Sequence, residues 1–261
     1  MSDIQSKPKW DTITWNARWG TIIEKIQKQS GNPPTKAVVL LSGGLDSSTV
    51  LGMTVNLIGN KNVTALSFDY EQRHIRELKS AANIAKYYKV EHRILKTSFR
   101  AIGGSALTSD IEVPVNRDLE EMGHDIPITY VPARNTIFLS FALALAEVTN
   151  SDTVIYGANS LDYSGYPDCR PEYVDAFNNL SKYMNTKGIE GKPIKIWAPI
   201  INMTKAEIIQ LGISLGVPYE LTWSCYNGGE VPCGECDSCK LRIRGFEELG
   251  LTDPLMREEH V

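Results

Sequence analysis

The chain has 261 residues, with 27 lysines and arginines against 31 aspartates and glutamates, and 42% of it is hydrophobic. A formal charge of -4 supplies no global basic field for nucleic acid or an anionic membrane, so a small-molecule substrate is favoured. The longest apolar run, over 136–146, is shorter than the roughly 20 residues a bilayer requires, and Met1-Ser2-Asp3-Ile4-Gln5 opens no signal-peptide hydrophobic region. A cytoplasmic protein with no membrane span and one main core is expected.

An extension over 1–35 comes first. It holds three of the five tryptophans, Trp10, Trp15 and Trp19, and places Trp15, Trp19, Ile22, Ile23 and Ile26 at helical spacing until Gly31-Asn32-Pro33-Pro34 ends the pattern. Such an amphipathic helix packs on a sheet or a second subunit, and docking of a protein partner is the alternative.

A nucleotide-binding catalytic domain is expected over 36–220. Ala37-Val38-Val39-Leu40-Leu41 reads as a short buried parallel strand, and it runs into Ser42-Gly43-Gly44-Leu45-Asp46-Ser47-Ser48 before Thr49-Val50-Leu51 continues as a helix. Glycines here let the backbone turn sharply and present N–H groups to an anion. Asp46, Ser47 and Ser48 stand at a helix N-terminus, where the dipole favours negative charge. This pattern describes a phosphate cradle, with an ordinary strand-to-helix turn as the plain alternative. No Gly-Lys-Ser/Thr triplet follows, so it is not a Walker A loop, and it suits holding pyrophosphate during cleavage between the α and β phosphates.

The pattern then alternates: helix to about 58, strand 63–68, helix 76–88, strand 91–95. Alternation of this kind implies right-handed βαβ units, that is, an α/β, Rossmann-like parallel sheet with helices on both faces. A long irregular segment over 101–133 marks function, as such loops usually do. Asn135 caps a helix through about 148 that is apolar nearly all round and is therefore expected to be buried. A strand over 153–157 empties into a polar loop over 158–171, a further strand is expected over 194–197, and Thr204-Lys205-Ala206-Glu207 is a capping-box pattern opening a helix that stops near 216.

Four of the five cysteines, Cys225, Cys233, Cys236 and Cys239, crowd into a C-terminal segment expected over 221–261. Their spacing surrounds one tetrahedral ion. Zinc is the natural occupant, structural because four thiolates fill its coordination sphere. An iron–sulfur cluster is the competitor, though the Cys-x3-Cys-Pro element common there is missing. Lys240, Arg242 and Arg244 read as a solvated helix face, too small a basic cluster for a nucleic-acid-binding ribbon. Cys169 stands apart and reads as a buried inert thiol, and His74 as structural.

The pattern Ser-Gly-Gly-x-Asp-Ser resembles the PP-loop of the N-type ATP pyrophosphatases. With Leu41-Ser-Gly-Gly-Leu-Asp-Ser-Ser48, Phe68-Asp-Tyr-Glu-Gln-Arg-His74, Gly103-Gly-Ser-Ala-Leu-Thr108, Tyr130-Val-Pro-Ala-Arg-Asn-Thr136, the run from Leu161 through Asp168-Cys169-Arg170 to Pro171, Leu221-Thr-Trp-Ser-Cys-Tyr226 and Cys233-Gly-Glu-Cys-Asp-Ser-Cys239, the chain from Lys36 to Pro254 resembles the 7-cyano-7-deazaguanine synthase family, QueC. The resemblance implies ATP-dependent conversion of 7-carboxy-7-deazaguanine and ammonia into the nitrile, through an adenylated carboxylate and an amide, in a homodimer. It implies ATP binding by Leu41, Ser42, Gly43, Gly44, Leu45, Asp46, Ser47, Ser48, Thr49, Val50 and Leu51, with Asp46 positioning the phosphates or their Mg²⁺. Asp46, Ser47 and Arg134 are the catalytic candidates.

Under that resemblance Arg134 and Arg170 clamp the substrate carboxylate or the departing α-phosphate, with structural arginines as the alternative. Asp162 and Asp168 read the guanine-like N–H edge while Tyr163 or Tyr166 stacks on its face. The extension over 1–35 is not explained by the resemblance. Rival readings are a QueC-like enzyme that passes the activated carboxylate to another amine and stops at an amide, a tRNA thiolase or amidotransferase-type synthetase with the same loop, and a zinc-pinned nucleotide-binding protein without catalysis.

Overall fold

Short β-branched runs flanked by amphipathic helices give five parallel strands, β1 (Ala37–Leu40), β2 (Val63–Asp69), β3 (Glu91–Lys96), β4 (Thr153–Ile155) and β5 (Lys195–Trp197). They form one sheet in the order β3-β2-β1-β4-β5. The computed structural model describes residue 26 and residues 33–72, 75–117, 126–161 and 166–256. Trp10, Trp15, Trp19, His74, Asp162 and Tyr163 lie outside the described residues, as does the expected N-terminal helix except for Ile26, which is helical and buried.

Register places Ala37 beside both Val63 and Thr153, so β1 is the central strand and is paired on both edges. Alternation along the strands divides the core in two: Val39, Ala65 and Ile155 pack on one face of the sheet, and Val38, Leu66 and Val154 on the other. The first face is covered by α1 (Leu45–Ile58), α2 (Arg76–Tyr88) and α6 (Lys205–Ser214), the second by α3 (Arg134–Val148) and α4 (Pro171–Met184). The remaining helices are α5 (Thr186–Ile189) and α7 (Asp237–Glu247). In α2 the buried residues Ser80, Ala81, Ile84, Ala85 and Tyr88 recur at helical spacing, and the helix ends where Lys89 turns left-handed. The capping box of α6 is present in both directions, with Thr204 accepting from Glu207 N and Glu207 accepting from Thr204 N.

Three expectations need correcting. Asn135 does not cap α3: it lies in the first turn, and the N-cap is Ala133. Helix α3 is apolar all round yet not buried all round: Leu139, Ala142, Leu143 and Ala146 face the sheet, while Phe141 and Val148 are exposed. A sheet covers one side of a helix, and hydrophobicity on the other side does not create a second cover. Arg242 does not lie on a solvated face. It is buried and forms a bidentate pair with Asp253, Nε to Oδ2 at 2.7 Å and Nη2 to Oδ1 at 3.0 Å, and it also donates to Thr222 Oγ1 at 2.7 Å. Its fork of donors is fully used, which is what makes burial of a guanidinium tolerable. Arg244, by contrast, is exposed, as expected.

Candidate active site

In an open parallel sheet, ligands bind beyond the carboxyl ends of the strands where the order reverses, here between β1 and β4. A cavity of about 240 Å³ opens there, walled by the ends of β1, β2 and β4, the α1 N-terminus, and the segment leading into the cysteine cluster.

The strand-to-helix bend forms its floor. Gly43 has φ +87°, and a Cβ on it would meet Glu77 O at 2.3 Å and Ala81 N at 2.5 Å, so only glycine lets the bend pass this close to α2. Ser47 Oγ ties the bend together, accepting from Ser42 N at 3.2 Å, lying 3.0 Å from Ser42 Oγ and donating to Gly44 O at 3.2 Å. The end of β4 closes onto this loop, since a Cβ on Gly157 would lie 3.1 Å from Ser47 N. Of the eleven residues from Leu41 to Leu51, Leu41, Ser42, Gly44, Leu45, Asp46 and Ser47 line the cavity. Ser48, Thr49, Val50 and Leu51 turn into α1 and are buried among helix neighbours, with Thr49 Oγ1 2.8 Å from Tyr219 Oη.

Asp46 is paired. Lys205 Nζ donates to its two carboxylate oxygens at 2.7 and 2.9 Å, and both side chains are largely sheltered from solvent. This lysine, from the first position of α6, places a cation against the cradle that no nearby sequence position supplies. It was not legible as a site residue, because inside a capping box a lysine looks like an ordinary helix-surface charge.

Arg134 begins α3 and lines the cavity. Burial opposes its charge, but the Tyr70, Tyr166 and Tyr226 phenols and the Asp168 carboxylate around it outweigh burial and raise its pKa further, so it is a fixed cation. The preceding residue, Ala133, is held left-handed at φ 55°, and helix α3 is capped from outside: Asn135 N donates to Asp168 Oδ2 at 3.2 Å. Asp168 is thus a buried carboxylate behind the wall, its pKa raised by burial and partly restored by Arg134. Tyr166 is buried, lines the cavity and lies 2.9 Å from Thr129 Oγ1 through its hydroxyl. Arg170 is exposed at the N-cap of α4, away from the cavity lining. The structure therefore brings together Arg134, Tyr166 and the cradle, with Asp168 in support.

Other wall residues were not anticipated. Glu77, in the first turn of α2, lines the cavity with its carboxyl pushed up to about 7 by burial, against the opposing pull of Arg134. Tyr70 is pushed up to about 12 by burial. Tyr156 follows β4 directly, where the rule that ligands sit beyond strand ends marks it. Phe138 stacks on Phe68 with ring centroids 3.8 Å apart and adds a flat apolar surface. Cys169 also lines the cavity, but burial and Asp168 hold its thiol up at about 12, so it stays protonated and unreactive at neutral pH.

Cys225, Cys233, Cys236 and Cys239 bring their sulfurs within 4.8 Å of one another. A tetrahedral ion with thiolate bonds of about 2.3 Å needs sulfurs roughly 3.8 Å apart, so the set fits a single metal ion with small adjustment. Backbone N–H groups of Cys233 and Cys236 donate to the sulfurs of Cys225 and Cys233, each at 3.4 Å, which favours thiolates. The cluster adjoins the cavity. Trp223 N donates to Gly43 O at 2.9 Å, and Trp223, Ser224 and Tyr226, flanking Cys225, are all part of the lining.

Fold and cradle together define a nucleotide-binding protein of the PP-loop class. The family model described as queuosine biosynthesis protein QueC matches residues 36–250, and the chain belongs to that family. It is an enzyme of that family by its relatives. The 7-cyano-7-deazaguanine synthase of Trichodesmium erythraeum is 62% identical over 85% of this chain and 100% of its own length. That of Thermoplasma acidophilum is 56% identical over 86% of this chain and 93% of its own length. Among solved structures, NMN synthetase from Francisella tularensis is similar at 17% identity and TM-score 0.47, over 91% of this chain and 83% of that chain. Among the described residues no helix is long and apolar enough to cross a membrane.

Proposed function

We propose that this protein converts 7-carboxy-7-deazaguanine and ammonia into 7-cyano-7-deazaguanine, cleaving ATP to AMP and pyrophosphate. The observation that carries the reading is one cavity holding both a glycine and serine cradle and an arginine set in an aromatic wall, in a chain 62% identical to a relative of that name.

A carboxylate is a poor electrophile, and adenylation makes one of its oxygens a leaving group. Ser42, Gly44 and Ser47 with the α1 N-terminus hold the phosphates, and Lys205 offsets charge as pyrophosphate departs. Mg²⁺ would add Lewis-acid stabilisation of the same oxygens, with Asp46 the carboxylate of the cradle placed to meet it. Arg134 orients the substrate carboxylate and balances the charge that grows on its oxygen when ammonia attacks. Loss of AMP leaves the primary amide. A second ATP then activates the amide oxygen, and departure of AMP with the remaining N–H proton gives the nitrile, so one cavity serves both steps.

Four clustered thiolates favour Zn²⁺ as the ion of the cysteine cage, in a structural role that fixes the wall at Ser224 and Tyr226. A homodimer and a cytoplasmic location complete the reading, and the extension over 1–35 is the segment for a protein partner. Incubation with the acid, ATP, Mg²⁺ and ammonium, followed by mass spectrometry, is expected to yield the nitrile and AMP. Amide without nitrile, or ADP in place of AMP, overturns it.

A further inference from the structure

The reaction proposed above takes protons off nitrogen, and a group must stand ready to receive them. At neutral pH ammonia is almost wholly ammonium, which has no lone pair to attack with, and both amide formation and the final dehydration release a further N–H proton.

Among the described residues the cavity lining holds two carboxylates, Asp46 and Glu77. Asp46 is taken up by Lys205, at 2.7 and 2.9 Å. Glu77 is partly exposed, and its carboxyl makes no hydrogen bond or ion pair with any described residue. The phenols of Tyr70 and Tyr166 and the thiol of Cys169 keep their protons at neutral pH, because burial favours the uncharged form.

The fold fixes where Glu77 stands. It lies in the first turn of α2, with its carbonyl so close to Gly43 that a Cβ there would meet it at 2.3 Å. The preceding Arg76 lies over the Trp223 ring, 4.6 Å from its centroid, which pins the same turn against the segment leading to the cysteines. Tyr70 feels the charge of both Arg134 and Glu77, so the carboxyl lies towards the side of the cavity where Arg134 suits a substrate carboxylate. A carboxyl that is half-buried and unpaired holds nothing in place and attracts a small cation. Burial, against the pull of Arg134, brings its pKa near neutrality, where a proton is both taken and given back.

Resting on the reaction class proposed above, we propose that Glu77 is the ammonium site and the proton acceptor: its carboxylate binds the ion and removes the proton that frees the nitrogen lone pair. That pair forms the C–N bond as the C–O bond to AMP breaks, and the second surplus proton leaves by the same carboxylate once water has taken the first. In the dehydration Glu77 takes the last N–H proton while the C–O bond of the adenylated amide breaks and its electron pair departs with AMP.

The test is Glu77→Gln, which keeps size and polarity but accepts no proton. Acid-dependent exchange of labelled pyrophosphate into ATP is expected to persist, while amide and nitrile formation at saturating ammonium fall by about 100-fold or more. Hydroxylamine, a nucleophile already neutral at pH 7, is expected to give the hydroxamate with the variant at near the parental rate. Parental nitrile formation by the variant overturns the proposal, as does loss of exchange or a hydroxamate rate that falls as far as the amide rate, and each leaves the functional reading intact. A parent protein with neither exchange nor nitrile sinks that reading and this proposal with it.

Discussion

The cradle end of the cavity comes mainly from one uninterrupted stretch, the bend between β1 and α1, with Lys205 added from α6, whereas the rest of the wall gathers Tyr70, Arg134, Tyr156, Tyr166 and Tyr226 from segments far apart in the chain. The bend is held mainly by its own backbone and by Ser47, with long-range ties from Trp223 N to Gly43 O and from Lys205 to Asp46. The wall is held by capping, stacking and buried ion pairs, so its geometry belongs to the whole fold. Distant substitutions should therefore reach the substrate side first and the nucleotide side last.

Arg242→Leu puts that contrast under the greatest strain. It leaves the buried Asp253 carboxylate without its partner and removes the donor to Thr222 beside the Trp223 wall. Breaking such a pair costs about 3–5 kcal/mol, so the melting temperature should fall by on the order of 10 °C. At a permissive temperature, affinity for the acid should drop more than affinity for ATP. Equal losses at both ends would erase the distinction.

Lys205→Met probes the nucleotide end alone. Removal of one preorganised electrostatic contact typically costs about 100-fold or more in rate, and the loss should appear in turnover with ATP while acid binding is spared. Comparable damage to acid binding would show that the two ends are coupled through Asp46.

Glu77 gives the smallest effect on stability. Its carboxyl titrates near 7 in the folded protein against an ordinary value of 4.5, so the folded state holds the extra proton between those values. Stability should therefore decline as pH rises from about 4.5 to about 7, and Glu77→Gln should flatten that slope, as read by melting temperature against pH. An unchanged slope would place the titration elsewhere.

Legibility in the sequence follows the same division. Strand β1, the bend and the start of α1 are one contiguous pattern, and the cysteines declare themselves by spacing, so both are readable from residue types alone. The amphipathic helix over Arg76–Tyr88 was likewise readable from its period. Lys205 was not, because its importance lies in a contact across 159 positions with Asp46. Arg242 looked like a surface charge until Asp253 was folded against it. The exposed side of α3 was misjudged because hydrophobicity reports what a face prefers, while cover depends on what the fold places opposite. Arg134 and Tyr166 emerged from the family resemblance.

If the bend after β1 grips pyrophosphate while a carboxylate becomes an acyl adenylate, exchange of labelled pyrophosphate into ATP reads that step without ammonia. Label should enter ATP when the deazaguanine acid is added, stay out when the acid is omitted, and be lost in Lys205→Met. Nitrile formation that proceeds with release of ADP and phosphate, and with no exchange under any condition, would contradict it.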